Sequence, residues 1–415
     1  MSNHLDGFRI LESAVLLNGD TLGMHLGDLG ADVIKVESPG TGDYLRDMLG
    51  QITPRQSPAH LQVNKNKRSI AIDLRSDAGR EVFWDLQGSA DAFIDGFAGG
   101  AMDRLGVGYD SQRERNPNLV YCQYTGFGRQ GPYSAIPTHG QMMNAEAASI
   151  TLERHDDGFV RGAQNRELMG GTSGGGDGTA AGAIHAAFHV VAALLRRERT
   201  GQGCFLDVSA ADAVIAQGWI GAVYGWNYDR LTDHIGLREP GSELLTGAKY
   251  QFYETADDRY ILFCCIEPKF WTRFCELVER PDLIERVTEA GAVDFGRNDD
   301  ALRHELQSIF HNRTMAEWIG VADQHRLPIG PAHQGVASLR DDPHIAKRQI
   351  LLEGEHPVAG PFTYVGSPVI TDHEPSAEPS PAPGVGQHTR EILTQIGYDE
   401  AKIDRLANDG AVQVG

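Results

Sequence analysis

The chain has 415 residues, 41% hydrophobic and 23% charged, with 37 Lys and Arg against 57 Asp and Glu for a formal charge of −20. The length asks for more than one core, and the composition argues against a disordered or fibrous chain. An acidic surface repels nucleic acid and anionic membranes, so no partner of either kind is expected and any anionic ligand needs a local basic cluster.

In chain order, residues 8–11 read as a strand and 20–29 as a helix with Asp20 as its N-cap. Strands follow at 33–36 and 69–74. Ser76 then caps a helix that runs to residue 86, and further strands occupy 92–94 and 119–122. Strands separated by helices of this length predict an α/β fold with a parallel, doubly wound sheet. Near residue 220 the texture changes. Residues 249–253 and 260–266 look like paired strands joined across Asp257 and Asp258. Helices at 269–278, 300–309 and 314–324 complete a smaller α+β domain. A Pro-rich stretch at 374–386 reads as extended and solvated, and short helices close the chain at 389–396 and 400–406. The division expected is 1–220, 221–335 and 336–415.

The five cysteines, Cys122, Cys204, Cys264, Cys265 and Cys275, are odd in number and form no C-x-x-C, which argues against disulfides and zinc. The first residues lack a basic segment followed by an apolar run, and no apolar stretch approaches the length of a span; a cytoplasmic protein is expected.

Residues 170–183 are rich in glycine, and Asp177 is the single ionisable side chain among them. Glycine permits φ > 0 and lets a bulky partner come close. A carboxylate at the head of the apolar stretch 180–195 reads as a nucleophile. Residues 176–181 also match G-x-G-x-x-A, but no strand-like sequence runs into the first glycine, as a dinucleotide site requires. His185 and His189 stand one helical turn apart without a third ligand, so a helix face is expected there and no metal. The basic run from Asn64 to Arg68, with Lys65 and Lys67, is either a solvated loop or, joined by Lys35 and Arg104, a cradle for a polyphosphate. His139 is either a general base or polar surface.

Several motifs in one order carry a resemblance. They include Leu29-Gly30-Ala31-Asp32-Val33-Ile34-Lys35-Val36-Glu37, Asn66-Lys67-Arg68-Ser69-Ile70-Ala71-Ile72-Asp73-Leu74 and Gly100-Ala101-Met102-Asp103-Arg104-Leu105-Gly106. Tyr124-Thr125-Gly126-Phe127-Gly128, Arg197-Glu198-Arg199-Thr200-Gly201 and Gly386-Gln387-His388-Thr389-Arg390 follow. Over nearly its whole length the chain resembles the family III CoA-transferases, a group that includes formyl-CoA transferase and α-methylacyl-CoA racemase. The resemblance implies a Rossmann-like large domain, a smaller domain, a C-terminal segment that returns to the large one, and an interlocked homodimer. It implies coenzyme A as a substrate rather than a resident cofactor. Asp177 matches the catalytic aspartate, and Leu17, Asn18, Lys35, Ser38, Phe97, Arg104 and Leu105 match positions that hold CoA, with Lys67 and Arg68 as further candidates. The family pattern is broken at Ser38 and Gly96, where several members have a basic residue and an asparagine. It is broken again at Gly140, where formyl-CoA transferase has a glutamate.

The chemistry implied moves CoA from a thioester to a carboxylic acid through an aspartyl anhydride and an aspartyl-CoA thioester. Backbone N–H groups at Gly175, Gly176 and Gly178 are the oxyanion donors expected. The alternative is racemisation of a 2-methylacyl-CoA by His139 and Asp177, although Gly140 stands where racemases carry an aspartate. His139, Asn144, Glu146, Trp219 and Tyr224 are candidates for an acyl pocket, the aromatic ones being equally readable as core.

Overall fold

The computed structural model describes residues 3–150, 152–162, 177–232, 247–287, 291–372 and 378–415. The first strands and helices alternate: β1 (Arg9–Ser13), α1 (Asn18–Asp28), β2 (Asp32–Glu37), α2 (Pro58–Val63), β3 (Lys67–Ile72), α3 (Asp77–Gln87) and β4 (Ala92–Asp95). They continue with α4 (Ala101–Arg104), α5 (Tyr109–Arg115), β5 (Val120–Thr125), α6 (Met142–Glu146) and a small hairpin, β6 (Leu152–Arg154) and β7 (Val160–Gly162). Then come α7 (Gly178–Thr200), β8 (Cys204–Ser209), α8 (Ala210–Gln217) and α9 (Trp219–Asn227).

Seven strands form one sheet in the order β14-β3-β2-β1-β4-β5-β8, where β14 is Val412–Gln413 near the C-terminus. All pairings are parallel except that of β14, which runs antiparallel along the edge of β3. Buried apolar residues cover both faces, as a parallel sheet requires. One face packs Leu22 and Leu26 of α1 and Ala183, Ala186, Val190 and Leu194 of α7. The other packs Val82, Phe83 and Leu86 of α3 with Ile392, Leu393 and Ile403 from the C-terminal helices. Helix α7 has the length and hydropathy of a membrane span, but this buried stripe seats it on the sheet. The chain order reverses between β1 and β4. In open α/β sheets that reversal leaves a crevice at the carboxyl ends of the strands.

Ser76 does cap α3, accepting a hydrogen bond from Gly79 N–H. Asp20 does not cap α1. The N-cap is Leu17, and Asp20 lies inside the first turn, fully buried.

The chain divides into two compact units, residues 1–226 with 343–415, and residues 227–342. The second unit holds a three-stranded antiparallel sheet, β11-β10-β9, built from β9 (Gln251–Glu254), β10 (Tyr260–Phe263) and β11 (Ile329–Ala332). Helices α10 (Pro268–Leu277), α11 (Asp300–Phe310) and α12 (Met315–His325) pack on it around Trp271, Phe274, Phe310 and Trp318. Thr314 and Glu317 form a reciprocal capping box at the start of α12. The first unit resumes with α13 (Pro343–Arg348) and the hairpin β12 (Leu351–His356) and β13 (Gly360–Val365). Helices α14 (Thr389–Gln395) and α15 (Glu400–Asn408) lead to β14.

Candidate active site

Asp177 is the N-cap of α7, a helix of 23 residues, and its side chain is exposed. Its Oδ1 accepts the Thr179 N–H at 2.7 Å. The carboxylate therefore has a structural use, satisfying one orphan donor at the positive end of a long helix. The same placement leaves it accessible to solvent.

The helix start is braced on three sides. Asn144, buried in α6, accepts the Gly178 N–H at 2.9 Å. The Tyr124 hydroxyl lies 2.7 Å from the Thr179 carbonyl and 3.1 Å from that of Gly178. This approach needs Gly182, because a Cβ there would lie 2.4 Å from the Tyr124 hydroxyl oxygen. On the third side the Thr179 hydroxyl meets Asn18 Oδ1 at 3.1 Å. Asn144 thus braces the start of α7. The Gly178 N–H is spent on Asn144, which corrects its assignment as a free oxyanion donor. Gly175 and Gly176 lie outside the described residues.

A cavity of about 220 Å³ opens at the carboxyl ends of β1 to β4. Ser13, Ala14 and Val15 after β1, Val36, Glu37 and Ser38 after β2, and Leu74 and Arg75 after β3 line it. Phe97 follows β4, and Met102 and Leu105 complete the wall. Three of the expected CoA positions, Ser38, Phe97 and Leu105, therefore share one cavity. Leu17 and Asn18 do not line it; they continue the loop that carries Ala14 and Val15. Gly96 is explained by space: a Cβ there would come within 2.6 Å of Ala14 Cβ.

The basic cluster is arranged otherwise than expected. Lys35 and Lys67 are buried, and their ammonium groups are fully engaged. Lys35 Nζ contacts Glu12 at 3.2 Å, Asp43 at 3.0 Å and Asp20 more closely, and it donates to the Ala14 carbonyl at 3.1 Å. Lys67 Nζ reaches Glu12 at 2.7 Å and the Asp20 carbonyl at 2.9 Å. Lys65 pairs with Asp28, and Arg68 is clamped on Asp32 and Glu391. Neither Lys35 nor Lys67 is presented to a phosphate. Three carboxylates face two ammonium groups, and burial pushes the Asp20 carboxyl up. Burial opposes ionisation at Asp43 and Glu12 too, but the lysines outweigh it and hold both below the usual carboxylate range.

Arg75 does face the cavity, and its guanidinium has no carboxylate partner among the described residues. Its signal in the sequence was a basic residue just past the carboxyl end of β3. Arg104 is exposed, donates to the Gly99 carbonyl and adjoins Leu105. His139 is exposed in the loop before α6. Glu146, Trp219 and Tyr224 are exposed as well. His185 and His189 lie on α7, and no group of three metal-ligating side chains occurs among the described residues.

Fold and site define an α/β enzyme with an exposed carboxylate at a helix head and a ligand cavity at the strand switch point. The sequence matches the model of "CoA-transferase family III" over residues 5–389. Succinyl-CoA:glutarate CoA-transferase of Mus musculus is 29% identical, covering 99% of this chain and 90% of its own. Succinyl-CoA:mesaconate CoA-transferase of Haloarcula marismortui is 31% identical, covering 95% and 97%. A CaiB/BaiF family protein from Brucella suis superposes with a TM-score of 0.73 at 26% identity, covering 95% of this chain and all of that one. The chain belongs to CoA-transferase family III, whose chemistry moves CoA between an acyl-CoA and a carboxylate, with CoA as cosubstrate. The named relatives are transferases, which disfavours the racemase reading.

Proposed function

We propose that Asp177 is the nucleophile of this transfer. One Asp177 carboxylate oxygen attacks the donor thioester carbonyl, and the C–S bond breaks to give a mixed anhydride and CoA thiolate. The thiolate sulfur then bonds to the aspartyl Cγ, and the donor acid leaves as a carboxylate carrying one former aspartate oxygen. The acceptor carboxylate attacks the aspartyl-CoA thioester, forming a second anhydride and releasing thiolate again. Attack of that thiolate on the acceptor acyl carbon yields the new thioester and restores Asp177. The observation that carries this reading is an exposed carboxylate fixed by a backbone N–H at the head of α7.

The cavity suits one end of CoA. Val15, Leu74, Phe97, Met102 and Leu105 offer apolar surface to a flat base, and Arg75 and Arg104 supply the positive charge that the buried lysines do not. We place the acceptor among small dicarboxylates, by analogy with the relatives named for glutarate and mesaconate. A homodimer is part of the proposal. Ile184 and Phe188 on α7 and Trp219, Ile220 and Trp226 on α9 are exposed apolar side chains of the kind a subunit interface buries. Light scattering at micromolar protein would test it.

Asp177→Ala should abolish transfer from succinyl-CoA to glutarate or mesaconate while CoA still binds. Hydroxylamine should convert the Asp177-CoA thioester into a hydroxamate on Asp177, releasing CoA, during turnover of the unmodified enzyme. Full turnover by the alanine variant would end this assignment. Deuterium uptake from solvent at the α-carbon of a 2-methylacyl-CoA would revive the racemase.

A further inference from the structure

The loop between β1 and α1 joins the CoA cavity to the proposed nucleophile. At one end Ala14 and Val15 line the cavity, and the Ala14 carbonyl is held by Lys35. In the middle Leu16 adopts φ +65, a conformation that a leucine rarely takes unaided. Both Asp43 carboxylate oxygens accept its N–H, at 3.1 and 3.2 Å, and Asp43 is itself anchored on Lys35. At the far end Asn18 Oδ1 takes the Thr179 hydroxyl, and the Thr179 N–H points at Asp177 Oδ1. The loop is therefore tied at each end and in the middle.

We propose that Asn18 and the Thr179 hydroxyl are positioning residues that keep the Thr179 N–H on Asp177 Oδ1 when the aspartate is acylated. This rests on Asp177 being the nucleophile. When thiolate attacks Cγ of the aspartyl anhydride, the electron pair of the Cγ–Oδ1 double bond moves onto Oδ1. That oxygen then carries the negative charge, and the Thr179 N–H is the donor already aimed at it. The tetrahedral adduct collapses by expelling the acyl group as a carboxylate. An N–H that drifts loses its hold on the oxyanion, and the exposed anhydride has longer to meet water. Asn18 thus serves the nucleophile and not the CoA cavity.

The experiment compares Asn18→Ala, Thr179→Val, Thr179→Ser and Asp177→Ala in the full-length enzyme, with succinyl-CoA and glutarate. Asn18→Ala and Thr179→Val should each lower kcat by about tenfold, part of what removal of an oxyanion donor costs. KM for succinyl-CoA should stay within twofold. The fraction of donor hydrolysed rather than transferred should rise in both. Thr179→Ser, which keeps the hydroxyl, should restore most of kcat and the low hydrolysis fraction. The double variant Asn18→Ala with Thr179→Val should lose no more than either alone, because both break one bond. If Asp177→Ala is dead while Asn18→Ala and Thr179→Val keep kcat within twofold, the positioning role is wrong and the nucleophile stands. If Asp177→Ala turns over, the underlying reading fails first. A serine variant as poor as valine, or a rise in KM matching the fall in kcat, would also overturn the proposal.

Discussion

Replacing Lys35 by Met separates two views of that lysine. The ammonium contacts Glu12, Asp20 and Asp43, and all four side chains are buried. Lys35→Met keeps most of the volume but leaves three buried acids to Lys67 alone. Removing one partner of a buried ion pair costs about 3–5 kcal/mol, because the remaining charge is uncompensated. A unit of roughly 300 residues has an unfolding entropy near 0.6 kcal/mol per degree, from about 2.1 cal/mol/K per residue, so Tm should fall by about 5–8 °C. The loss should be larger at pH 8 than at pH 5. With the cation gone the native acids bind protons more tightly than unfolded ones, and stability then falls as pH rises through their raised pKa values. Thermal unfolding followed by circular dichroism at the two pH values reads this directly, with CoA binding to the folded variant measured by calorimetry. An unchanged Tm together with at least tenfold weaker CoA binding would make Lys35 a phosphate ligand and refute the buried-network account.

Arg75→Ala should weaken CoA binding about tenfold with Tm unchanged, as expected for one exposed charge-assisted contact, and calorimetry with CoA checks it. Burial pushes the Asp95 carboxyl up to about 6, despite hydrogen bonds from Phe97 N–H, the Tyr121 hydroxyl and Gln123. Its contribution to stability is full below about pH 4 and is lost as pH rises towards 6. Asp95→Asn, which never ionises, should therefore be more stable at pH 8 by up to about 3 kcal/mol and show no gain near pH 4, read from urea unfolding at both. Burial, reinforced by Arg46 and Lys35, pushes the His60 imidazole down to about 2. The unfolded histidine takes a proton below about pH 6.5 and the native one does not, so stability falls with acid by up to about 1.4 kcal/mol per pH unit. His60→Gln should flatten that slope in an acid titration of unfolding.

What the sequence disclosed and what it hid follow from the range of the interactions. That Asp177 would stand exposed at the head of a helix was legible because its neighbours are glycines on one side and an apolar helix on the other. The alternation of β1 to β5 with helices was legible for the same reason: period and caps act over a few residues, as Ser76 and Thr314 show. The lysines were not, because a positive charge in a string of residues carries no record of what the fold brings to it. Glu12 meets Lys35 only when β1 and β2 pair in a register that sets those two residues side by side. Asp20 arrives from α1 and Asp43 from the turn after β2. In a parallel sheet covered on both faces, a charge near the carboxyl end of a central strand has two possible fates. It faces the crevice and serves the ligand, or it turns inward and must be neutralised by the protein itself. Lys35 took the second course and fixes the loop that carries Ala14, Leu16 and Asn18. In the proposed arrangement, its influence on catalysis passes through the backbone geometry of that loop.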